Sequence, residues 1–286
     1  MRVLLTGGSG DLGQTLVPRL LAAGHTPVVL DIRRPTSGEF IQGSLLDRDR
    51  LPEYLHGNDA IVHIAGWHGI HESNGEKTAY DFFDLNVRGT FEVFEAATVL
   101  GIDKIVHIST TSVDRPTTLY ARSKILGEQI VTDYGSREGM NAIILRPRGF
   151  IPHWNRSVYT SFSEWAQWFW RGGVHIDDVA TAVMSSLEVL TKQRLDRPPV
   201  LTLDSAYEYT DDDLTHWDAD GAGSTFRKYY TEYYALAVTH GLDPAVKPTR
   251  LDISDAVRWL GYRPSYSLAN LLFELAAHGD QGPPRG

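Results

Sequence analysis

The 286-residue chain contains no cysteine, which excludes disulfides, thiolate metal sites and cysteine nucleophiles. No apolar run is long enough to cross a bilayer, and no long run of basic residues occurs. The net charge of −9 argues against nucleic acid as a partner. The N-terminus enters a strand pattern at once and leaves no room for a signal peptide. We therefore expect a cytoplasmic protein that binds neither membranes nor nucleic acid.

Metal binding also has little support. His63, His68 and His71 lie close together, but no carboxylate stands at a clear ligand spacing from them. His63 falls in a strand pattern, where a hydrogen-bonded core imidazole is the commoner finding. We predict no metal site.

A glycine-rich turn follows the first apolar run and precedes a helical pattern that begins at Asp11. Its glycines have the spacings G-x-x-G-x-x-G and G-x-G-x-x-G. Such glycines permit a tight turn and close approach of a pyrophosphate, and the helix N-terminus offers N–H groups to the phosphates. The turn predicts a dinucleotide site. The residues assigned to it are Gly7, Gly10, Asp11, Leu12 and Gly13.

The second apolar run ends in an acid, Asp31, about 20 residues after the turn, where a carboxylate is expected to hold the adenosine ribose hydroxyls. Ile32 and Arg33 follow and are assigned to the same part of the cofactor. Arg33 and Arg34 could attract a 2′-phosphate and favour NADP, whereas the carboxylate repels that phosphate. We give the acid more weight and predict NAD.

Strand and helix patterns alternate along the first half of the chain, which predicts an α/β fold with a Rossmann-type, doubly wound parallel sheet. The predicted strands are Arg2–Thr6, Pro27–Asp31, Glu39–Gln42, Ala60–Ala65, Lys104–Ser109, Ala142–Arg146 and Val200–Leu203. The predicted helices are Asp11–Ala23, Arg48–His56, Ala79–Leu100, Tyr120–Tyr134, Asp177–Leu190, Thr225–His240 and Leu268–Ala277.

Residues after the third and fourth strands are expected at the carboxyl edge of the sheet, where ligands bind. Ser44 or the Leu45 backbone could meet the adenine edge. The small-residue turn after the fourth strand would let the backbone pass close to a dinucleotide. That turn consists of Ile64, Ala65 and Gly66. Trp67 and His68 open a polar loop that either touches substrate or is only a connection.

The strand that ends in Ser109, Thr110 and Thr111 is followed by Tyr120 and Lys124, which lie one helical turn apart on one face. An ammonium beside a phenol stabilises the phenolate and lowers its pKa from about 10, which makes a better base. Thr110 or Thr111 could hold the substrate oxygen. The alternative is an exposed helix pair, but the order of the motifs favours catalysis.

Asn86 stands in the middle of a helical pattern, where asparagine is unfavourable without a partner. It either positions the catalytic lysine through a local kink or water, or it is a surface residue without a role.

These motifs resemble the extended short-chain dehydrogenases/reductases, the NAD-dependent epimerase/dehydratase family. The matching stretches are residues 6–13, Asp31 and residues 62–65, 86–90, 109–111, 120–124, 145–147, 175–180, 252–256 and 260–264. The resemblance implies that Tyr120 is the acid/base, that Lys124 lowers its pKa and holds the nicotinamide ribose, and that Pro147 backs the nicotinamide. Ser109 is counted among the cofactor residues.

The resemblance also implies the domain organisation. Residues 1–150 form the NAD-binding domain, to which residues 174–203 return. Residues 151–173 and 204–278 form a small C-terminal α/β substrate domain, and residues 279–286 are expected to be a disordered tail. The helices over 79–100 and 120–134 commonly form a homodimer's four-helix bundle in this family.

The chain departs from the family's pattern in the part that meets the substrate. The segment between Thr111 and Tyr120 is short, and the asparagine that many nucleotide-sugar enzymes carry near Gly149 is missing. Arg148, Gly149 and Arg156 are nevertheless assigned to substrate, since either arginine could grip a carboxylate or phosphate. The aromatic residues that follow, Trp165, Trp168 and Phe169, either stack on a ligand or form the buried face of a helix.

We predict reversible hydride transfer at a secondary alcohol of a sugar or sugar nucleotide, as in a sugar 4-epimerase. One alternative is a net dehydrogenase or reductase of a free sugar, a uronate or another small alcohol. A second alternative is an NAD-sensing binding protein without turnover.

Overall fold

A seven-stranded parallel sheet, with strands between residues 2 and 203, organises the first unit of the computed structural model, which describes residues 1–285. Its strands lie in the order β3-β2-β1-β4-β5-β6-β7. Their bounds are β1 Arg2–Thr6, β2 Thr26–Asp31, β3 Glu39–Gln42, β4 Ala60–His63, β5 Lys104–Ile108, β6 Asn141–Pro147 and β7 Val200–Leu203. Central strand residues such as Leu4, Val29 and Ile61 are fully buried, as expected when helices cover both faces. The predicted fold class is confirmed.

Thirteen α-helices accompany the strands within residues 1–285. The first seven are α1 Asp11–Ala22, α2 Leu51–Leu55, α3 Gly69–Ser73, α4 Ala79–Phe82, α5 Gly89–Leu100, α6 Leu119–Arg137 and α7 Phe162–Trp170. The others are α8 Ile176–Lys192, α9 Asp211–Thr215, α10 Ser224–Tyr230, α11 Tyr234–Thr239, α12 Ser254–Leu260 and α13 Leu268–His278. No helix within the described residues has both the length and the apolar character that a membrane crossing requires.

Two predicted helices are interrupted. The pattern over 79–100 is broken into α4 and α5 by a π-helical segment, Phe83–Arg88, in which the Asn86 side chain binds backbone outside the helix. The pattern over 225–240 is broken at a 3₁₀ turn, Thr231–Tyr233, because Tyr230 leaves the helical region with ψ 43°. Periodicity found the buried faces, but it could not show these local changes of pitch.

The chain divides into two compact units. The first contains residues 1–147, 179–202 and 253–262, and the second contains residues 148–178, 203–252 and the chain from Arg263 onward. Residues 253–262, which contain α12, therefore belong to the sheet unit and not, as expected from the sequence, to the small domain.

The second unit has an aromatic core. Trp165, Phe162 and Phe226 are almost fully buried, and Phe169 is 5 % exposed. The interpretation of the aromatic segment as the buried face of a helix is therefore correct for Trp165 and Phe169, while Trp168 packs against that core half-buried. Rings at helical spacing serve packing here.

The structure differs from the expected disordered tail over residues 279–286. Residues 279–281 form a 3₁₀ turn, Ser163 donates a hydrogen bond to Asp280, and the Pro283 carbonyl lies 3.1 Å from His153 Nε2. These contacts hold the segment although its composition is typical of disorder. Gly286 lies outside the described residues.

Candidate active site

The glycine turn lies at the carboxyl ends of β1 and β4. Gly7 has a φ of +68°, and its N–H donates to the Leu30 carbonyl at 2.9 Å. A Cβ on Gly7 would lie 2.7 Å from Ala65 Cα, and a Cβ on Gly13 would lie 2.1 Å from the Gly8 carbonyl oxygen. Side chains at Gly7 and Gly13 are therefore excluded, as the sequence predicted. Gly10 is the N-cap residue of α1 and has no side chain with which to cap it.

Asp31 stands at the end of β2, where its carboxylate is held in place by two backbone N–H groups. One oxygen accepts from Ser9 at 3.0 Å and the other from Arg33 at 2.9 Å. Each carboxylate oxygen has a further lone pair for a ribose hydroxyl. Ile32 is 60 % exposed beside it, so its side chain is accessible to a ligand.

The predicted cofactor residues after β3 and β4 form hydrogen bonds and packing contacts within the protein. The Ser44 hydroxyl accepts from the Leu46 N–H at 3.2 Å, and the Leu45 side chain is buried in the core. Both N–H groups at the end of β4, those of Ile64 and Ala65, donate to the Thr6 carbonyl. Leu45 can therefore meet a ligand only through its backbone.

Tyr120 lies in the first turn of α6. Burial raises the pKa of Tyr120 to about 12, and the Thr110 hydroxyl, just beyond β5, opposes that shift by a smaller amount. The expected net lowering of the phenol pKa is therefore wrong for the protein alone. Thr111 begins a 3₁₀ turn, Thr111–Asp114, and Thr110 is the threonine whose hydroxyl influences the pKa of the phenol.

Lys124 is buried one turn along α6, with only 6 % of its surface exposed. Its Nζ donates to the Ile108 carbonyl at 2.6 Å. Burial lowers the pKa of Lys124 to about 8, while the charge of Glu128 opposes that shift. The ammonium is thus fixed at the carboxyl end of β5.

Glu128 and Arg146 were missed by the sequence analysis. Arg146 donates to both oxygens of Glu128, at 2.8 and 2.6 Å, and the Ser109 hydroxyl donates to the same carboxylate. Ser109, predicted to bind the cofactor, has its side chain committed to this network. The position of Glu128 four residues after Lys124 was a usable signal, because such residues share a helix face.

Asn86 is 2 % exposed, which excludes the interpretation as a surface residue. Its side chain accepts from the Trp67 N–H at 2.7 Å and donates to the Trp67 carbonyl at 2.8 Å and to the Ser123 hydroxyl at 2.9 Å. The expected local kink is present as the π-helical segment. The partners that the structure gives it, however, are Trp67 and Ser123, not Lys124.

The remaining predicted substrate residues lie in the second unit and have partners of their own. Arg148 donates to Asp204 at 3.1 Å, to the Tyr207 hydroxyl at 2.8 Å and to the Thr249 carbonyl at 2.7 Å. A Cβ on Gly149 would lie 2.7 Å from the Trp168 ring, so this glycine has a packing role. Arg156 is exposed and donates to two backbone carbonyls, both at 3.3 Å.

No group of three or more residues of the ligating types His, Cys, Asp and Glu within residues 1–285 could hold a metal ion. The three histidines considered in the sequence separate accordingly. His63 is buried between the hydroxyls of Thr6 and Thr90, at 2.7 and 2.9 Å, whereas His68 and His71 pack edge to face at the start of α3.

Comparison with known proteins identifies the family of the chain. A profile of the NAD dependent epimerase/dehydratase family matches residues 3–195, which is more than half of the chain. The chain belongs to this family. It is an NAD-dependent family whose curated relatives include both epimerases and dehydrogenases.

This chain is 34 % identical over 166 residues to a UDP-glucose 4-epimerase of Rhizobium meliloti, and the match covers 50 % of each chain. It is 26 % identical over 172 residues to an L-arabinose 1-dehydrogenase (NAD(P)(+)) of Haloferax volcanii, covering 51 % of this chain and 65 % of that one. The chain thus matches about half to two thirds of the length of these relatives.

A solved structure extends the likeness in fold over the whole chain. The UDP-glucose 4-epimerase of Brucella ovis in complex with NAD superposes with a TM-score of 0.72 at 18 % identity, covering 99 % of both chains. This similarity supports the Rossmann-type architecture.

Proposed function

We propose that this epimerase/dehydratase-family protein transfers a hydride reversibly between NAD and the carbon of a secondary alcohol in a sugar or sugar nucleotide. The observation that carries the proposal is the grouping of Tyr120, Thr110 and Lys124 at the carboxyl end of β5. A phenol, a hydroxyl and a buried ammonium together are the parts that proton transfer to and from an alcohol oxygen requires.

The glycine turn and Asp31 fit a dinucleotide. Gly7 and Gly13 let the turn pack tightly against Ala65 and against the start of α1, as a pyrophosphate-binding turn requires, and Asp31 is fixed where the adenosine ribose is bound in Rossmann folds. When bound, NAD supplies the acceptor and donor of the hydride. A carboxylate at this position repels a 2′-phosphate and therefore favours NAD over NADP.

In this proposal Tyr120 exchanges the proton of the substrate oxygen, while the Thr110 hydroxyl orients that oxygen. Because burial raises the pKa of Tyr120 to about 12, the phenol is protonated at neutral pH, the form that donates to a ketone oxygen. Alcohol oxidation needs the phenolate, which the Lys124 ammonium favours.

Net dehydrogenation of a free sugar is the second candidate. The asparagine that many nucleotide-sugar members carry near Gly149 is missing, and the nearby cation of Arg148 is already hydrogen-bonded to Asp204. The similarity to the arabinose dehydrogenase points the same way. A screen of sugars and sugar nucleotides separates the two, because a dehydrogenase accumulates NADH and an epimerase inverts a carbon without net NADH.

The decisive variant is Tyr120→Phe, which keeps the ring and removes the proton-exchanging hydroxyl. We expect turnover to fall by about 10²–10⁴-fold, while NAD affinity, measured by calorimetry, stays within about twofold. Tyr80→Phe is the matched control, since Tyr80 is 83 % exposed. Turnover like that of the parent in Tyr120→Phe would exclude the acid/base role and leave the non-catalytic NAD sensor as the better account.

We further propose a homodimer through the faces of α5 and α6. Phe91 of α5 and Leu126 of α6 are exposed by 42 % and 40 %, and Phe83, just before α5, by 55 %; association would bury these apolar side chains. Light scattering of the parent and of Phe91→Asp tests it, because a charge in a buried interface favours the monomer. Cytoplasmic location stays a prediction.

A further inference from the structure

The first turn of α6, which carries Tyr120, receives an unusual set of hydrogen bonds. The N-cap residue Thr118 accepts from the Ala121 N–H at 3.1 Å, as expected of a threonine. The N–H groups of Leu119 and Tyr120 both donate to the carboxylate of Glu72, each at 2.9 Å. Glu72 lies in α3, far from α6 in sequence. It belongs to the segment Trp67–Lys77, which was predicted from the sequence only as a polar loop.

The same segment also reaches the carbonyl side of Tyr120. The Ser123 hydroxyl donates to the Tyr120 carbonyl at 2.7 Å and accepts from the side-chain amide of Asn86 at 2.9 Å. Asn86 in turn holds both backbone groups of Trp67. Glu72 of the segment Trp67–Lys77 thus holds the N–H of Tyr120 directly, while the Tyr120 carbonyl is linked to Trp67 through Ser123 and Asn86.

The segment also lies beside the ring itself. A Cβ added to Gly69, at the start of α3, would come within 3.4 Å of Tyr120 Cδ1, so the ring stands next to the Gly69 backbone. Detachment of α3 would therefore release the backbone of Tyr120 and uncover its ring at the same time.

We propose that Glu72 is a positioning residue, whose carboxylate fastens α3 to the N-terminus of α6 and thereby fixes the place and burial of the Tyr120 phenol. The inference rests on the proposed function of Tyr120. The two hydrogen bonds that this carboxylate accepts are charge-assisted and so stronger than neutral ones, and a negative charge is favoured at a helix N-terminus. The short connection between Thr111 and Tyr120 leaves this anchoring to a distant part of the chain.

The ionisation of Tyr120 reports on this contact. The titratable groups around Tyr120 are Glu72, His68 and His71, which lie on or beside α3, and Lys124 on α6. The Thr110 hydroxyl, just beyond β5, is a further polar neighbour. Loss of Glu72 removes a negative charge and lets water reach the phenol. Both changes favour the phenolate, so the pKa of Tyr120 should fall towards its ordinary value of about 10.

The experiment compares Glu72→Gln and Glu72→Ala with a control, Glu76→Gln. Gln keeps one acceptor oxygen and Ala keeps none. The side chain of the exposed Glu76, by contrast, accepts a hydrogen bond from its neighbour Asn74 at 2.9 Å. We expect kcat to fall about tenfold in Glu72→Gln and about a hundredfold in Glu72→Ala, with NAD affinity unchanged. Glu76→Gln should behave as the parent.

Tyrosinate absorbance between pH 9 and 11, taken against a Tyr120→Phe background, measures the ionisation without any need for turnover. Both Glu72 variants should ionise Tyr120 at lower pH than the parent. An unchanged titration together with an unchanged kcat would overturn the proposal. A loss of kcat accompanied by weaker NAD binding and a lower melting temperature would also overturn it, because that combination indicates general destabilisation. Parent-like turnover in Tyr120→Phe would instead overturn the proposed function, while the titration still decides whether Glu72 fixes the phenol.

Discussion

Two cations with little solvent exposure, one in each unit, lie in very different surroundings. Lys124 of the sheet unit donates to the Ile108 carbonyl, and within residues 1–285 no carboxylate forms a hydrogen bond or ion pair with it. Arg148 of the second unit has Asp204, a tyrosine hydroxyl and a carbonyl as acceptors on one nitrogen. Accordingly, burial lowers the pKa of Lys124 to about 8. The comparison teaches that the pairing of a charge, not its place in a motif, shows whether it is free to act on a ligand.

The two neighbouring carboxylates reinforce this contrast. Glu128 lies one turn after Lys124 but is bound by Arg146, so it acts on the ammonium only through space. Asp204 is 2 % exposed at its side chain, and it also accepts from the backbone N–H groups of Ser205 and Leu251. The pair in the second unit is therefore a structural junction, and we expect its loss to unfold rather than to inactivate.

Lys124→Met should have the largest effect, because it removes the charge and keeps the length of the side chain. We expect turnover to fall by about 10²–10⁴-fold, since the phenolate loses its favourable cation. Steady-state kinetics with the substrate identified by the screen measures it. Lys104→Met serves as the control, since Lys104 pairs with Asp103 at the surface. Turnover within about threefold of the parent would show that the buried ammonium is structural.

The same variant carries a pH signature in stability. Folded Lys124 has a pKa of about 8, below the unfolded value of about 10.5, so the folded state binds fewer protons between these values. The cost of burying the charge is fully present below pH 8 and is relieved as pH rises towards 10.5. Urea unfolding at pH 7 and pH 10 should show the parent gaining stability relative to Lys124→Met.

Breaking the Arg148–Asp204 pair should have the next largest effect. Either Arg148→Leu or Asp204→Leu leaves one buried charge unpaired, and we expect a loss of about 3–5 kcal/mol in the free energy of unfolding. The double variant should recover most of it, because both charges leave together. A thermodynamic cycle from urea unfolding measures the coupling. Additive losses would mean that Arg148 is as free as Lys124, and the contrast between the units would disappear.

His107→Leu should produce the smallest effect and sharpens the description of the sheet unit. His107 is fully buried, and neither ring nitrogen has a hydrogen-bond partner among residues 1–285. Burial lowers its pKa well below 6.5, so only the unfolded state takes up a proton as the pH falls below that value. Stability is then lost by about 1.4 kcal/mol per pH unit for this imidazole. Unfolding at pH 7 and pH 5 should show a shallower loss in His107→Leu, while the exposed His56→Leu keeps the slope of the parent.

The fold could be read from the sequence because its signals are local. Arg2–Thr6, Glu39–Gln42 and Val200–Leu203 are strands with the predicted bounds, and short apolar runs between turn residues suffice for such assignments. Tyr120 and Lys124 are one turn apart, so their common face followed from helical geometry. The positive φ of Gly7 followed from the tight turn that a dinucleotide site needs.

The rest depended on contacts between distant residues. Glu72 and Tyr120 are 48 positions apart, and no pattern within the Trp67–Lys77 segment indicates a carboxylate that caps another helix. Arg148 was assigned to a ligand because its partner, Asp204, lies 56 positions away. The expected lowering of the pKa of Tyr120 failed because burial outweighs the neighbouring groups. Partner choice and desolvation are tertiary properties, and sequence spacing does not encode them.

The division of the chain into two discontinuous units limits the construction of chimeras with related proteins. The backbone passes from one unit to the other after residues 147, 178, 202, 252 and 262. Exchanging the second unit for that of another family member therefore requires five splice junctions in the gene, two of them inside α8 and β7. New specificity is more readily obtained here by point substitution than by transplanting a module.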